Sequence, residues 1–374
     1  MTAGDLRWTS RASQVEVRTT LDGLEDDWDA LAEHSGSVFA TRTWLWTWWR
    51  HFGRERPLRI VVSRDGDRPV AISPLYLAAR RPVRVLRFLG HGPTDALGPI
   101  CHPDERARAA GDLRHVLDDT RGDWDVLLAD ELPGTLDWAN ALGGTALGRQ
   151  ASPVVTLTGT TWDAWLASRS PGLRSSLRRS HRALDALGPV RFRHTTRAED
   201  LPVDLATLLR LHRLRWAAVG GSRAFARREA FHAEVVRLAL AAGWLRLWFV
   251  DVDGAPVAAL YNLRFGGAES FYQSGRDPQL ARGSPGLVLH AHAIEQAFAD
   301  GLREYRLLRG DEPYKRRLAD HDPGLSSVAV AASTPGRLVA AAVRPLPRLP
   351  RWAVRRVPAA LAWGTGGSPA WSRP

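Results

Sequence analysis

Asp311, Glu312, Tyr314 and Lys315 fall together in Arg309-Gly310-Asp311-Glu312-Pro313-Tyr314-Lys315, directly after the apolar run Tyr305-Arg306-Leu307-Leu308. Two carboxylates, a phenol and an amine are the groups that move protons in group transfer. A carboxylate takes the proton of an attacking amine, a phenol supplies one to the leaving group, and an ammonium stabilises an oxyanion or binds a phosphate. The end of a strand is where open α/β sheets keep such chemistry. Lys315 also stands out by composition: of 51 basic residues it is the only lysine. A bias that replaces nearly every lysine leaves one where arginine substitutes poorly, because a guanidinium does not deprotonate and is not a compact ammonium. The competing reading makes Asp311 and Glu312 a turn and a helix cap.

A second group of candidates lies in Ala281-Arg282-Gly283-Ser284-Pro285-Gly286, which opens a helix whose apolar stripe is Leu287, Ala291, Ile294 and Phe298. A helix start offers unpaired N–H groups and a positive dipole end, and glycine lets ligand oxygens approach the backbone. Arg282, Gly283, Ser284 and Gly286 are therefore candidates for a pyrophosphate cradle; the alternative is ordinary helix punctuation. The preceding strand, Phe271-Tyr272-Gln273-Ser274-Gly275, places Tyr272 and Gln273 as candidate substrate contacts. Arg174, Arg178 and Arg182 form an i, i+4, i+8 stripe that reads either as a solvated helix face or as a grip on a phosphate-bearing substrate. His290 and His292 are two apart on the helix, point to different faces and cannot clamp a metal, so no metal is expected.

The elements that must position these residues come in two copies. Leu58–Ser63 runs through Asp65-Gly66 into Pro69–Ile72, and Leu245–Val250 runs through Asp253-Gly254 into Pro256–Ala259. Each reads as a β-hairpin. A strand ending in glycine follows in each (Leu86–Gly90; Phe271–Gly275), then a helix (Pro103–Asp119; Gly286–Asp300), then a strand that ends in Asp-Glu (Val126–Glu131; Tyr305–Glu312). Four matches in one order indicate a tandem duplication. The expected fold is mixed α/β (α+β): domain one over residues 10–155, domain two over 156–333, each a mixed sheet flanked by helices, then a basic tail over 334–374. Only the second copy has the Gly-rich loop and the Tyr314-Lys315 pair, so a single active site is expected there.

Composition excludes several classes. The net charge of +11 belongs mainly to the end of the chain, where no acidic residue follows Asp322 and seven arginines occur; without them the balance is +4. No DNA partner is expected, and a broad tRNA-binding face is not favoured. The lone Cys101 allows no intramolecular disulfide and fits a reducing cytoplasm. Residues 1–5 show no leader pattern and no apolar run approaches a membrane span. The tail mixes arginine with Trp352, Trp363 and Trp371 among prolines. It reads either as a contact for an anionic membrane surface or as a solvated segment. Trp44-Leu45-Trp46-Thr47-Trp48-Trp49-Arg50-His51-Phe52 reads as a packed helix, with sugar-binding aromatics as the alternative.

The Trp44–Gly53 helix, Pro74-Leu75, Phe88-Leu89-Gly90, Ser284-Pro285-Gly286 and above all Arg309–Lys315 resemble the GNAT-family acetyltransferases of the BioF2-like or CelD-like group, often found near cellulose and exopolysaccharide genes. The resemblance spans about residues 15–333. It implies two GNAT folds, the first degenerate, and transfer of an acyl group from acetyl-CoA or another acyl-CoA to an amine on a small molecule or glycan. Related tandem-GNAT proteins include the FemABX transferases, which use aminoacyl-tRNA. In this family the loop before the central helix holds the CoA pyrophosphate, and Arg282–Gly286 occupies that place, with Pro285 where many relatives have glycine. The resemblance also implies a phenol as acid, which falls on Tyr314.

Overall fold

The computed structural model describes residues 6–10, 13–53, 55–217, 221–222 and 224–344. In chain order it begins with β1 (Leu6–Ser10), β2 (Ser13–Arg18), α1 (Glu25–Ser35), α2 (Arg42–Trp48), β3 (Leu58–Asp65), β4 (Arg68–Ala79), β5 (Val85–Phe88) and β6 (Ile100–Cys101). Next come α3 (Arg106–Asp119), β7 (Val126–Pro133), α4 (Trp138–Leu142), β8 (Thr145–Gln150), β9 (Val154–Thr156), α5 (Trp162–Ser168), α6 (Pro171–Asp185), β10 (Val190–His194), α7 (Leu201–Ala217) and α8 (Glu229–Ala241). The chain closes with β11 (Leu245–Val252), β12 (Ala255–Phe265), β13 (Ala268–Arg276), α9 (Pro285–Ala299), β14 (Glu304–Arg306), α10 (Pro313–Leu318), β15 (Leu325–Ala331) and α11 (Thr334–Val343).

The fold is a tandem pair of mixed α/β units, and both duplicated series form, although the last strand of the second stops at Arg306 rather than running to Glu312. In the first sheet the order is β1-β2-β3-β4-β5-β7-β15-β8, with β6 beside β4; in the second it is β10-β11-β12-β13-β14-β9. The hairpins β3–β4 and β11–β12 are antiparallel. Each sheet then has a parallel pair, β5 with β7 and β13 with β14. Parallel neighbours need a crossover, and α3 and α9 supply it.

The units are not contiguous in sequence. The first gathers the described residues of Met1–Asp27, Glu55–Gln150 and Gly324–Pro374; the second gathers Trp28–Arg54 and Ala151–Pro323. The boundaries expected at 155/156 and 333/334 are therefore crossed. β9 straddles the first and pairs antiparallel with β14, while β15 joins β7. A strand left at a sheet edge exposes unpaired backbone groups, and each of these segments covers one. The Trp helix α2, expected in domain one, clusters with the second unit. Trp44 is 1% exposed and meets Phe231 and Tyr272 edge-on, each at 5.3 Å between ring centres. The packed-helix reading holds for it.

The expected tail is also shorter. Ser333 caps α11, accepting from the Gly336 N–H, and Val339 and Ala340 pack with Val126, Leu128 and Ala329 in the first unit's core. Residues 345–374, with Trp352, Trp363 and Trp371, lie outside the described residues. In the second unit α9 is buried on more than its predicted stripe. Val288, Leu289, Ala293 and Ala297 are as buried as Ala291 and Ile294, whereas Leu287 and Phe298 are only partly covered. The reason is that α5 and α6 pack on α9 from the side away from the sheet.

Candidate active site

β13 and β14 pair only over Ala268–Ser270 with Glu304–Arg306, yet β13 continues to Arg276. Beyond Arg306 the chain follows β9's side of the sheet instead. Leu307 N–H donates to Pro153 O at 2.9 Å, Leu308 turns left-handed (φ 53°), and Gly310 N–H donates to Ala151 O at 3.1 Å. The two parallel strands therefore part, and a gap opens between the end of β13 and the segment leading into α10. Asp311–Lys315 borders that gap at the start of α10 rather than at a strand end.

Tyr314 stands there between both faces of the sheet. Its ring leans on His290 of α9, 5.3 Å between centres and tilted 34°. Its hydroxyl takes a hydrogen bond from Arg215 of α7, and Arg215 also donates to Ser274 Oγ on β13. Burial raises the Tyr314 pKa above the usual phenol value, Arg215 opposes the rise and the charge of Glu312 adds to it. The result is a protonated phenol whose oxygen is held from one side, the state required of an acid. His290 is 3% exposed; burial, then the charges of Lys315 and Arg215, push its pKa down to about 3.

Lys315 is 3% exposed. Its Nζ donates to Arg309 O, lies 3.2 Å from Glu312 Oε2 and sits 5.6 Å from the centre of the Phe271 ring. These contacts close the Arg309–Lys315 turn on itself, and Gly310 permits it. A Cβ there would lie 2.2 Å from Glu312 Oε2 and 2.8 Å from Lys315 Nζ. Glu312 occupies the N-cap position of α10, but its side chain makes no cap bond and pairs with Lys315 instead. Asp311 is exposed and bound to Arg316, with Oδ1 2.7 Å from Nε and Oδ2 2.8 Å from Nη2. Of the two carboxylates, Glu312 is the one whose charge reaches Tyr314.

At the start of α9, Ser284 is left-handed (φ 38°), Pro285 takes the first helical position, and the Ser284 side chain makes no cap bond. The two glycines divide in purpose. A Cβ on Gly283 would lie 2.6 Å from Leu184 Cδ2, so Gly283 admits α6. A Cβ on Gly286 would meet only Arg276 Cδ at 3.8 Å, so the backbone there is open towards Arg276. The Arg282 side chain lies outside the described residues. Sequence reasoning passed over Arg276 and Arg215. Among the described residues neither pairs with a carboxylate, and burial together with Arg215 lowers the Arg276 pKa. Two adjacent guanidiniums at a helix start fit the anionic part of a nucleotide-type ligand.

The remaining candidates are less concentrated. Tyr272 is 7% exposed and packs among Trp44, Tyr261 and His232, so its ring belongs to the unit's core. Gln273 is half-buried on the same strand. Arg174 and Arg178 lie on the outer face of α6, whose Leu173, Leu177 and Leu184 are buried, and Arg178 is exposed. His290 and His292 do face different surroundings: His292 stacks on Phe192 at 4.2 Å. Cys101 is buried, and burial pushes its thiol up to about 12, which makes it a poor nucleophile.

With this geometry in place, comparison with known proteins finds a domain family that matches part of the chain and solved structures that share its fold. The acetyltransferase (GNAT) domain family matches residues 171–316, from the first turn of α6 into α10, so the gap, α9 and Tyr314 all fall inside it. Among solved structures, FemX superposes with a TM-score of 0.59 at 11% identity, covering 82% of this chain and 96% of that one. The C-terminal domain of a protein described as a lysylphosphatidylglycerol synthetase from Agrobacterium fabrum gives 0.55 at 13%, covering 85% and 95%. L-PGS from Bacillus licheniformis gives 0.52 at 13%, covering 86% and 97%. At such identities the likeness is one of fold. No curated protein sequence matches the chain.

Proposed function

We propose that the second unit is an N-acyltransferase that moves an acyl group from acyl-CoA to an amine, with an amino sugar or cell-envelope precursor as acceptor. The observation that carries this reading is the parting of β13 and β14 beside two guanidiniums at the start of α9, Arg215 and Arg276, that lack carboxylate partners among the described residues. Arg276, Ser284 and Gly286 would hold the pyrophosphate of the acyl donor, with Arg282 as a further candidate. Arg174 and Arg178, on the outer face of α6, would meet any more distal phosphate.

The chemistry follows from the three groups at the gap. The acceptor nitrogen forms a bond to the thioester carbonyl carbon and gives up one proton to Glu312, directly or through water. Tyr314 passes its own proton to the sulfur as the carbon–sulfur bond breaks. Glu312 then returns a proton to the Tyr314 oxygen through solvent, restoring both groups. Lys315 supports the step by holding Glu312, and Arg215 fixes the phenol oxygen. Asp311, bound to Arg316, serves the turn.

A second reading, aminoacyl transfer, draws on the fold shared with FemX and with proteins named for lysylphosphatidylglycerol synthesis. The two differ in donor, and thermal melting separates them. A ligand at 100 times its Kd stabilises by about 2.7 kcal/mol. CoA or acetyl-CoA is expected to raise Tm, and Arg276→Ala to abolish the shift. No shift up to millimolar acetyl-CoA, with one from aminoacyl-tRNA, would replace the first reading by the second.

A further inference from the structure

A chain of polar side chains runs from the surface at Asp300 into the core of the second unit and ends beneath Tyr314. Asp300 Oδ2 lies 2.7 Å from Arg264 Nη1, and Arg264 Nε and Nη2 lie 3.2 and 2.9 Å from Glu269 Oε2. The other oxygen of Glu269, a residue with 0% exposure, accepts from Trp248 Nε1 at 2.9 Å and from Asn262 Nδ2 at 2.7 Å. Asn262 Nδ2 is also 3.1 Å from Tyr305 Oη, which is 3.1 Å from His290 Nδ1. Asn262 and Tyr305 are likewise 0% exposed.

The chain has a direction, and Glu269 sets it. A carboxylate only accepts, so Asn262 must turn its NH2 group towards Glu269; its oxygen there would face another acceptor. The same NH2 group then faces Tyr305, whose oxygen accepts. Burial first, then the charge of Glu269, raises the Tyr305 pKa well above the phenol value, so its proton stays on and points to the one acceptor left, His290 Nδ1. Nδ1 is thereby occupied as an acceptor, and the ring proton sits on Nε2.

We infer that Glu269, Asn262 and Tyr305 are positioning residues for the proposed transferase site: they hold His290 as the neutral Nε2–H tautomer, so that the imidazole leaning on Tyr314 offers no vacant lone pair to the phenol's proton. Resting on the acyltransfer reading, this explains how a histidine can sit against the acid without competing for its proton. The groups that face His290 are Lys315 and Tyr314 from α10, Arg215 from α7 and Tyr305 from β14. Both charged ones are cations, which oppose a second proton on the ring.

Ring 15N NMR of the histidine-labelled full chain tests this, with the His290 signals assigned by their loss in His290→Gln. The wild type is expected to show pyridine-type Nδ1 and pyrrole-type Nε2, unchanged from pH 8 to 5.5. Tyr305→Phe removes the donor and should produce a mixture of tautomers; Glu269→Gln, which leaves Tyr305 in place, should do the same if the first variant folds poorly. In the acetyl-CoA reaction Tyr305→Phe should lower kcat roughly tenfold with KM unchanged. A wild-type Nδ1–H tautomer, a ring that titrates near 6.5, or an unaltered tautomer in both variants would overturn the inference. The spectra report without turnover, so an inactive Tyr305→Phe with an intact tautomer, or a correct tautomer in a protein that ignores acetyl-CoA, separates failure here from failure of the transferase reading.

Discussion

Tyr314 and Lys315 are adjacent in sequence and separate in task. Tyr314 presents its hydroxyl to Arg215 at the gap, whereas the Lys315 ammonium is spent on Arg309 O and Glu312. Tyr314→Phe keeps the ring against His290 and removes only the hydroxyl proposed as the acid, so kcat should fall by about 10²-fold or more while Tm stays within error. Full turnover in that variant, measured with any accepted amine, would remove Tyr314 from the mechanism. Lys315→Arg should instead act on stability. A guanidinium does not fit a slot closed by the Phe271 ring and Gly310, and overpacking of this kind costs roughly 1–3 kcal/mol, read by urea unfolding. The rarity of lysine singled out this position, but rarity could not say whether the ammonium meets substrate or braces a turn. Arg215 and Arg276 were hidden for the opposite reason: among fifty arginines, only their place in the fold, beside Tyr314 and the start of α9, distinguishes them.

At the scale of elements, the position of the gap depends on where two parallel strands stop pairing, and three short features fix that: the Leu308 turn, the Gly310–Lys315 closure and the start of α9. Gly283 and Arg276 give a contrast that tests which feature serves what. Gly283→Ala drives a methyl into Leu184 and should cost about 1–3 kcal/mol of stability, with CoA affinity unchanged in the folded fraction. Arg276→Ala should leave Tm near the parent's and weaken CoA binding about tenfold or more, as loss of a charge-assisted contact to phosphate does. Calorimetric titration with CoA reads both; the reverse pattern would move the anion site away from α9. The duplicated hairpins, helices and parallel strands were legible because each is long enough to show a period or a turn signal. The exchange of β9 and β15 was not. β9 is three residues long and carries no alternation of its own, and pairing partners are decided by open sheet edges rather than by local sequence.

For the molecule as a whole, the buried histidines of the second unit set how stability responds to mild acid. Burial is the first cause of the low pKa of His232 and of His290, each about 3, and of His212, about 4. Unfolded, each returns to about 6.5. A histidine whose folded pKa is depressed contributes stability that is complete above its unfolded pKa and is lost as pH falls below it, because the unfolded chain then binds more protons. The carboxylates with lowered pKa, Asp125, Glu199 and Glu234, act the same way but only below about 4. The window between 6.5 and 4 therefore belongs to the histidines. At pH 5 His232 and His290 together should remove roughly 4 kcal/mol relative to pH 8, a large part of the 5–15 kcal/mol typical of a folded domain. Melting at fixed ionic strength should show Tm falling steadily from pH 7 to 5. His232 is 1% exposed among Trp44, Phe225, Phe231 and Tyr272, and burial outweighs the backbone hydrogen bond with Ala224 that favours its charged form. His232→Phe should therefore fold, flatten the slope by about a quarter, since His212, His290 and His292 titrate in the same window, and gain most over the parent at pH 5. A Tm independent of pH between 8 and 5, or a slope equally steep in His232→Phe, would show that these rings do not carry the proton linkage assigned to them.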